Sequence, residues 1–488
     1  MQNTQDVPNP RPKRILVIGG GVSGLVTLRN LRARGGFDQV QLVERRDHIG
    51  GVWYLDENRS GSSSNPRWPS PAYPGLIGNV LPEFLSFSGA APFLEPLSTP
   101  SSQPFPSLSE THSYLRHFAA PLLPQIRLNT EVLTVEELSA QGGWRVCMRE
   151  WRDTAPTDVV ETWDAVVIAV ANYDHPVFPR TRGIPQLREL GLASHAQGWR
   201  GPHGYEGKRV LVVGNANSGN DMAAQLAPLA GAVYQSIRRP NFPGFPSLSD
   251  SRIIRVAPVE EYVVRAVNDR NIIDARLAGG TVIRDLDVVL FGTGYRPFPD
   301  FIRVLQAQPD QTLILSPLVT PHTNRIPDLH RYTLYARNPT LAFVGTAVAS
   351  YTPFTIADMC STWLALAWAG EIAYPTTMQA LLEFEAERMA AVAAGRAEME
   401  AASAGDTGQT QTEASSLVSY GVLGPFEEAY AAGLRVEVVA ARPDLDAILP
   451  VWNPERTAVR EGMFDTKRKA LELAREQEVA RERAATVG

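Results

Sequence analysis

Gly19, Gly21 and Gly24 spell G-x-G-x-x-G directly after the apolar run Ile15, Leu16, Val17 and Ile18. A continuous run of this kind reads as a parallel strand buried on both faces. The glycines permit a tight turn, close approach of a pyrophosphate and packing of helix on strand. A helix is expected from Ser23, and its first N–H groups then face the negative charge. Glu44 ends the next strand, 20 residues beyond Gly24. A carboxylate there accepts hydrogen bonds from a ribose diol, or else is an exposed strand-end acid. A second unit begins at Val210 to Val213 and runs into Gly214, Ala216 and Gly219, G-x-A-x-x-G, with its first glycine 195 residues after Gly19. Its next strand ends in Arg238 and Arg239. An arginine suits a 2′-phosphate, so the pair of sites reads as a dinucleotide lacking that phosphate first and NADPH second. Solvated strand-end charges are the alternative. Asp221 could help fix the start of the second helix.

The elements that must position these residues follow from periodicity. Further strands are expected at Val40 to Glu44, Ala165 to Ala171, Val233 to Ile237, Asp287 to Phe291 and Leu341 to Gly345. Interspersed helical patterns make the class α/β with two Rossmann-like dinucleotide-binding domains. Ser60 to Pro106 is dense in Ser, Pro, Gly and aromatics and reads as an irregular loop. A helical run covers Met378 to Glu400, and the small polar stretch Ala401 to Ser416 reads as a surface loop. Charges of both signs at helical spacing from Arg460 to Arg483 read as a solvated helix and nothing more.

Composition excludes several classes. The chain has 488 residues, 44% hydrophobic and 20% charged, ample for a sizeable core. A net charge of −6 without a long basic run argues against nucleic-acid binding. Two cysteines, Cys147 and Cys360, exclude a disulfide framework, a CxxC redox pair and a thiolate zinc cluster, and no metal site is expected. Met1 to Arg14 lacks an apolar signal core, and the apolar stretch Trp363 to Ala369 is far shorter than the roughly 20 residues a bilayer crossing needs. No membrane span and a cytoplasmic location are the expectations.

Three ordered motifs then carry a resemblance. ERRDHIGGVW at Glu44 to Trp53, GNANSGND from Gly214 and FGTGYRP at Phe291 to Pro297 look like the flavin-containing monooxygenases, over about residues 13 to 375. The resemblance implies FAD at the first site, against Gly19, Gly21, Val22, Ser23, Gly24, Glu44, Arg45, Gly51, Val52 and Trp53. It implies NADPH at the second, against Gly214, Asn217, Ser218, Gly219, Arg238 and Arg239. Asn217 and Ser218 could instead cap their helix. Family members reduce FAD with NADPH and let O2 add at the flavin C4a position; the hydroperoxide survives until a substrate takes its distal oxygen. The family's asparagine at the oxygenating centre corresponds to Asn79 in GNVLPEFLSF, where Gly78-Asn79 is also a turn dipeptide. Asn79 is therefore the expected catalytic side chain.

Departures from the pattern bear on substrate. Gly191, His195 and Trp199 fit the fingerprint of the type I flavoprotein monooxygenases, but Glu189 replaces its phenylalanine. Tryptophan at the last place is the Baeyer-Villiger preference. His195 reads as positioning the hinge between domains. Ala169 to Ala171 replace an A-T-G segment, and Asp358, Met359 and Cys360 replace a late glutamate-x-glutamine element near the flavin. Cys360 reads as packing. The expected architecture is an FAD domain in two parts, 1–177 and 298–488, with an NADPH domain, 178–297, inserted between hinges near Phe178 and Tyr295. The active site is expected in the cleft between them, roofed by parts of the Ser60 to Pro106 region and the C-terminal helices. The expected function is an NADPH- and FAD-dependent monooxygenase using O2 on the nitrogen or sulfur of a small organic molecule, with a role in natural-product biosynthesis. The alternatives are oxygen insertion beside a carbonyl, an NADPH oxidase, or a non-catalytic flavin-binding protein.

Overall fold

The computed structural model describes residues 10–55, 67–91, 93, 104–139, 142–152, 155–238, 249–268, 270–323, 325–348, 352–404 and 419–487. Arg14–Ile18 is an interior strand of a seven-stranded sheet, parallel to Gln39–Val43 on one side and Ala165–Ile168 on the other. Ile15, Leu16 and Val17 are fully buried, as a parallel strand covered on both faces requires. The sheet is completed by strands from both ends of the chain, Ile126–Arg127 and Leu341–Phe343 among them. A second, five-stranded parallel sheet has Arg209–Val213 at its centre, between Ala232–Ser236 and Val288–Phe291. Its outer strands are Ile253–Val256 and Ala193–His195. Every strand of this sheet falls between 193 and 291, so the segment carrying it interrupts the first sheet. The two chain crossings lie side by side: Val177 N donates to the Gly294 carbonyl at 2.9 Å, and Arg296 N to that of His175 at 3.1 Å.

Both dinucleotide units obey the same local rule. Gly19 has φ +112° and Gly214 φ +128°, conformations that favour glycine. A Cβ on Gly24 would lie 1.8 Å from the Gly19 carbonyl oxygen, and one on Gly219 2.5 Å from that of Gly214. Helix and strand therefore pack only through glycine at these places. The helices run Val22–Arg34 and Asn217–Leu226, the first starting one residue before Ser23.

Two further sheets, one antiparallel and one mixed, were not among the expected elements. One joins Val259–Val267, Arg270–Leu277 and Val282–Leu286; the other joins Thr130–Ser139, Gly143–Arg152, Ala155–Trp163, Ile302–Ala307 and Leu313–Pro317. Their strands alternate, with buried Trp144, Val146 and Met148 followed in turn by the more exposed Arg145, Cys147 and Arg149, a pattern without a continuous apolar run.

Three further expectations are corrected. The helix Met378–Ala404 continues through residues 401–404, and 405–416 lie outside the described residues. Asp358 does not face a cofactor cleft. It is buried in the helix Pro353–Ala369, accepts from Arg29 at 3.0 Å, Asn30 at 2.9 Å and Ser88 N at 2.7 Å, and so pins the first dinucleotide helix to its neighbours. The charged tail is not merely solvated: Pro454–Val487 is a helix that buries Met463, Lys467 and Ala470. The irregular loop is found as such over residues 67–91, apart from a short 3-10 turn at Pro82–Phe84.

Candidate active site

At the first unit the segment after the second strand folds back onto the glycine turn. Gly50 N donates to the Gly20 carbonyl at 2.9 Å, and a Cβ on Gly51 would come within 2.9 Å of Gly21 Cα. Arg46 holds the Gly51 carbonyl at 3.0 Å, which fixes Gly51–Trp53 as a short 3-10 turn. Glu44 is buried; its carboxylate accepts from Gly20 N at 2.6 Å and Arg46 N at 2.9 Å. Arg45 points the other way and pairs with Asp174 at 2.7 Å. Val22 and Ser23 occupy the first turn, where Gly21 is the helix cap and supplies no side-chain acceptor.

The second unit repeats this. Ala216 caps the helix without a side-chain acceptor, so Asn217 and Ser218 do not cap it; both are exposed and line a cavity. Gln235 fastens the turn by donating to the Gly214 carbonyl and to Asn220, each at 2.9 Å. Asp221 does not fix the helix start either: its carboxylate accepts from the Tyr73 hydroxyl. Arg238 is exposed just past Ala232–Ser236, and Arg239 lies outside the described residues. Two uncapped helix starts, each behind a glycine turn, leave backbone donors that a dinucleotide pyrophosphate would satisfy. The residues present therefore fit FAD and NADPH.

A cavity of about 740 Å³ connects the units. Val52 and Trp53 represent the first fingerprint in its wall, Asn217 and Ser218 the second. Tyr73, Ile77 and Asn79 come from the loop, Trp199 from beside the chain crossing, and Lys467, Leu471 and Arg475 from the C-terminal helix. Arg252 and Arg255 add cations that sequence reasoning missed. Lys467 was missed as well, although Met463, Lys467, Leu471 and Arg475 follow one another at intervals of four, the signature of a single helix face. Asn79 is half-buried.

Burial shifts several titratable groups in and near the cavity. Burial pushes the His195 imidazole down to about 4; the ring packs against Phe178 and Tyr295 at the crossing, with centroids 5.6 and 5.0 Å away. Burial, followed by the charge of Asp221, pushes the Tyr73 phenol well above its ordinary value. Burial drives Lys467 down to about 8, against the opposing pull of Asp221. Cys360 is buried 3.1 Å from the Tyr430 hydroxyl, and its thiol is pushed up to about 11, which makes it inert packing.

Two strand-glycine-helix units facing one cavity define an oxidoreductase of the two-dinucleotide flavoprotein class. Over residues 12–242 the chain matches the family model described as flavin-binding monooxygenase-like. It is 28% identical over 386 residues to flavin-containing monooxygenase FMO GS-OX-like 2 of Arabidopsis thaliana, covering 76% of this chain and 77% of the relative. It is 26% identical to the thiol-specific monooxygenase of Saccharomyces cerevisiae, over 71% and 75% of the two chains. Among solved structures, S-allyl-L-cysteine S-oxygenase from Allium sativum shares the fold at TM-score 0.63 and 22% identity, over 92% of this chain and 98% of that one. Closed cyclohexanone monooxygenase shares it at 0.58 and 16%, over 88% and 97%. The chain is accordingly a flavin-dependent monooxygenase that uses FAD and NADPH. No helix among the described residues is long and apolar enough to cross a membrane.

Proposed function

We propose that this enzyme oxygenates sulfur or nitrogen in a small organic molecule inside the cavity between its two dinucleotide units. The observation that carries this reading is the Asn79 side chain in the cavity wall, in the same space as Trp53 and the Asn217–Ser218 pair. With FAD held at the first unit and NADPH at the second, the chemistry supplied there would be activation of O2. The chain's own residues do the rest. Glycine turns and uncapped helix starts hold the two pyrophosphates, and Arg238 with Arg239 reads the 2′-phosphate. Asn79 presents an amide donor and acceptor where oxygen transfer takes place. Tyr73, Trp199 and the C-terminal helix close the cavity against water.

The curated relatives include a thiol-specific monooxygenase, which supports a soft nucleophilic centre in the substrate. Trp199 favours a second reading, oxygen insertion beside a carbonyl, because tryptophan ends the fingerprint that began at Gly191. The test is product analysis after incubation with NADPH, O2 and matched sets of thioethers, tertiary amines and cyclic ketones. S- or N-oxides with stoichiometric NADPH consumption are expected. Lactone or ester from the ketones alone would replace the first reading with the second, and peroxide as the only product would refute both. A place in natural-product biosynthesis belongs to the same proposal.

A further inference from the structure

The C-terminal helix lies outside the segment that matches the family model, yet it reaches the cavity. Met463, Lys467, Leu471 and Arg475 succeed one another at four-residue intervals, about 6 Å per step along one helix face. Two of them grip the short turn that carries Asn79. The Lys467 ammonium donates to the Gly78 carbonyl at 2.7 Å, and Met463 Sδ accepts from Leu81 N at 3.2 Å. On its other side Gly78 N donates to the Pro106 carbonyl at 2.8 Å. At the far end Arg475 donates to the Ser249 carbonyl at 2.7 Å, beside Asp250 at 3.8 Å.

Lys467 is only 7% exposed. Burying an ammonium is costly, and the packing of a helix against a loop would be served as well by an apolar residue. The charge therefore asks for a reason, and the cavity supplies one. The side chain crosses Phe105, with Nζ 4.8 Å from the ring centroid, and ends on the residue next to Asn79. Asp221 on the second dinucleotide helix is the carboxylate acting on it, and Tyr73 from the loop occupies that carboxylate from the side. One turn away along its own helix stand the apolar Met463 and Leu471; two turns away, Arg475 is engaged with Asp250.

We propose that Lys467 is a positioning residue for oxygen transfer: its ammonium holds the Gly78 carbonyl and thereby fixes the Asn79 amide in the cavity wall. This rests on the reading of Asn79 given above. When the ammonium loses its proton, the charge-assisted bond to Gly78 weakens and Asp221 loses its counter-charge. Because the group titrates near 8, coupling of NADPH oxidation to product falls as pH rises from 7 to 9.

The experiment compares wild type, Lys467→Met, Lys467→Arg and Asn79→Ala, each loaded with FAD, on one substrate accepted by the wild type. The readouts are product formed per NADPH, the KM for NADPH and the pH profile of coupling. Lys467→Met is expected to lower coupling roughly tenfold, equivalent to about 1.4 kcal/mol, to change the NADPH KM less than about twofold, and to abolish the alkaline limb. Lys467→Arg restores coupling and moves the limb above pH 9, because guanidinium keeps its proton. Wild-type coupling in Lys467→Met, or a wild-type profile flat between pH 7 and 9, overturns the proposal. Should Lys467→Met fail to retain flavin, the arginine variant and the wild-type profile decide alone. Coupled turnover unaffected in Asn79→Ala would instead bring down the reading of the site.

Discussion

The Asn79 amide makes no hydrogen bond to protein among the described residues, so both of its ends are available to whatever occupies the cavity. Asn79→Ala should divert oxygen to peroxide: NADPH is still consumed, and product per NADPH falls by at least roughly tenfold. A peroxide assay run beside product analysis checks it. Arg238 and Arg239, which follow Ala232–Ser236 in the chain, make a different kind of prediction. Replacing Arg238 and Arg239 together by alanine removes charge from the place read for the 2′-phosphate. The KM for NADPH should then rise about tenfold while that for NADH moves little, which steady-state kinetics with both nucleotides measures. Cys360, with its thiol pushed up to about 11, should resist thiol-modifying reagents in the native enzyme.

At the scale of elements, the first dinucleotide helix owes its placement to a buried ionic knot. Asp358 joins Arg29 and Asn30 of that helix to Ser88 of the loop, with Arg34 held down to about 10 by burial despite the nearby carboxylate. Removing the carboxylate strands two guanidinium groups in the interior. Asp358→Ala should cost about 3 kcal/mol and weaken flavin retention, because the glycine turn is carried by the same helix. Chemical denaturation and the flavin-to-protein absorbance ratio check the two halves. At the second helix Gln235 fastens the turn with neutral bonds to the Gly214 carbonyl and Asn220.

Across the whole molecule, acid should be the weak side. His195 at the chain crossing and His330 in the first sheet are both pushed down to about 4, chiefly by burial. Below about 6.5 the unfolded chain binds protons at these imidazoles while the folded chain does not, until pH nears 4. Stability therefore rises with pH through that window and is lost on acidification, by up to about 1.4 kcal/mol per pH unit for each group. Thermal unfolding at pH 7 and pH 5 should show the drop, and His330→Phe should reduce it. A midpoint independent of pH over this range would contradict the assignment.

The sequence by itself determined the two dinucleotide units and their order. These signals are local: a positive φ at Gly19 and Gly214, or the absence of room for a Cβ at Gly24 and Gly219, is decided within a few residues. The two half-exposed sheets were harder to read, because alternation is a weaker pattern than a continuous apolar run. The partners of Asp221, Asp358 and Lys467 were decided only by the tertiary structure. Tyr73 lies 148 residues from Asp221 in the chain, and Gly78 389 residues from Lys467. A charged helix face reads the same in sequence whether it meets water or closes a cavity, since only the packing of distant segments sets what stands opposite it.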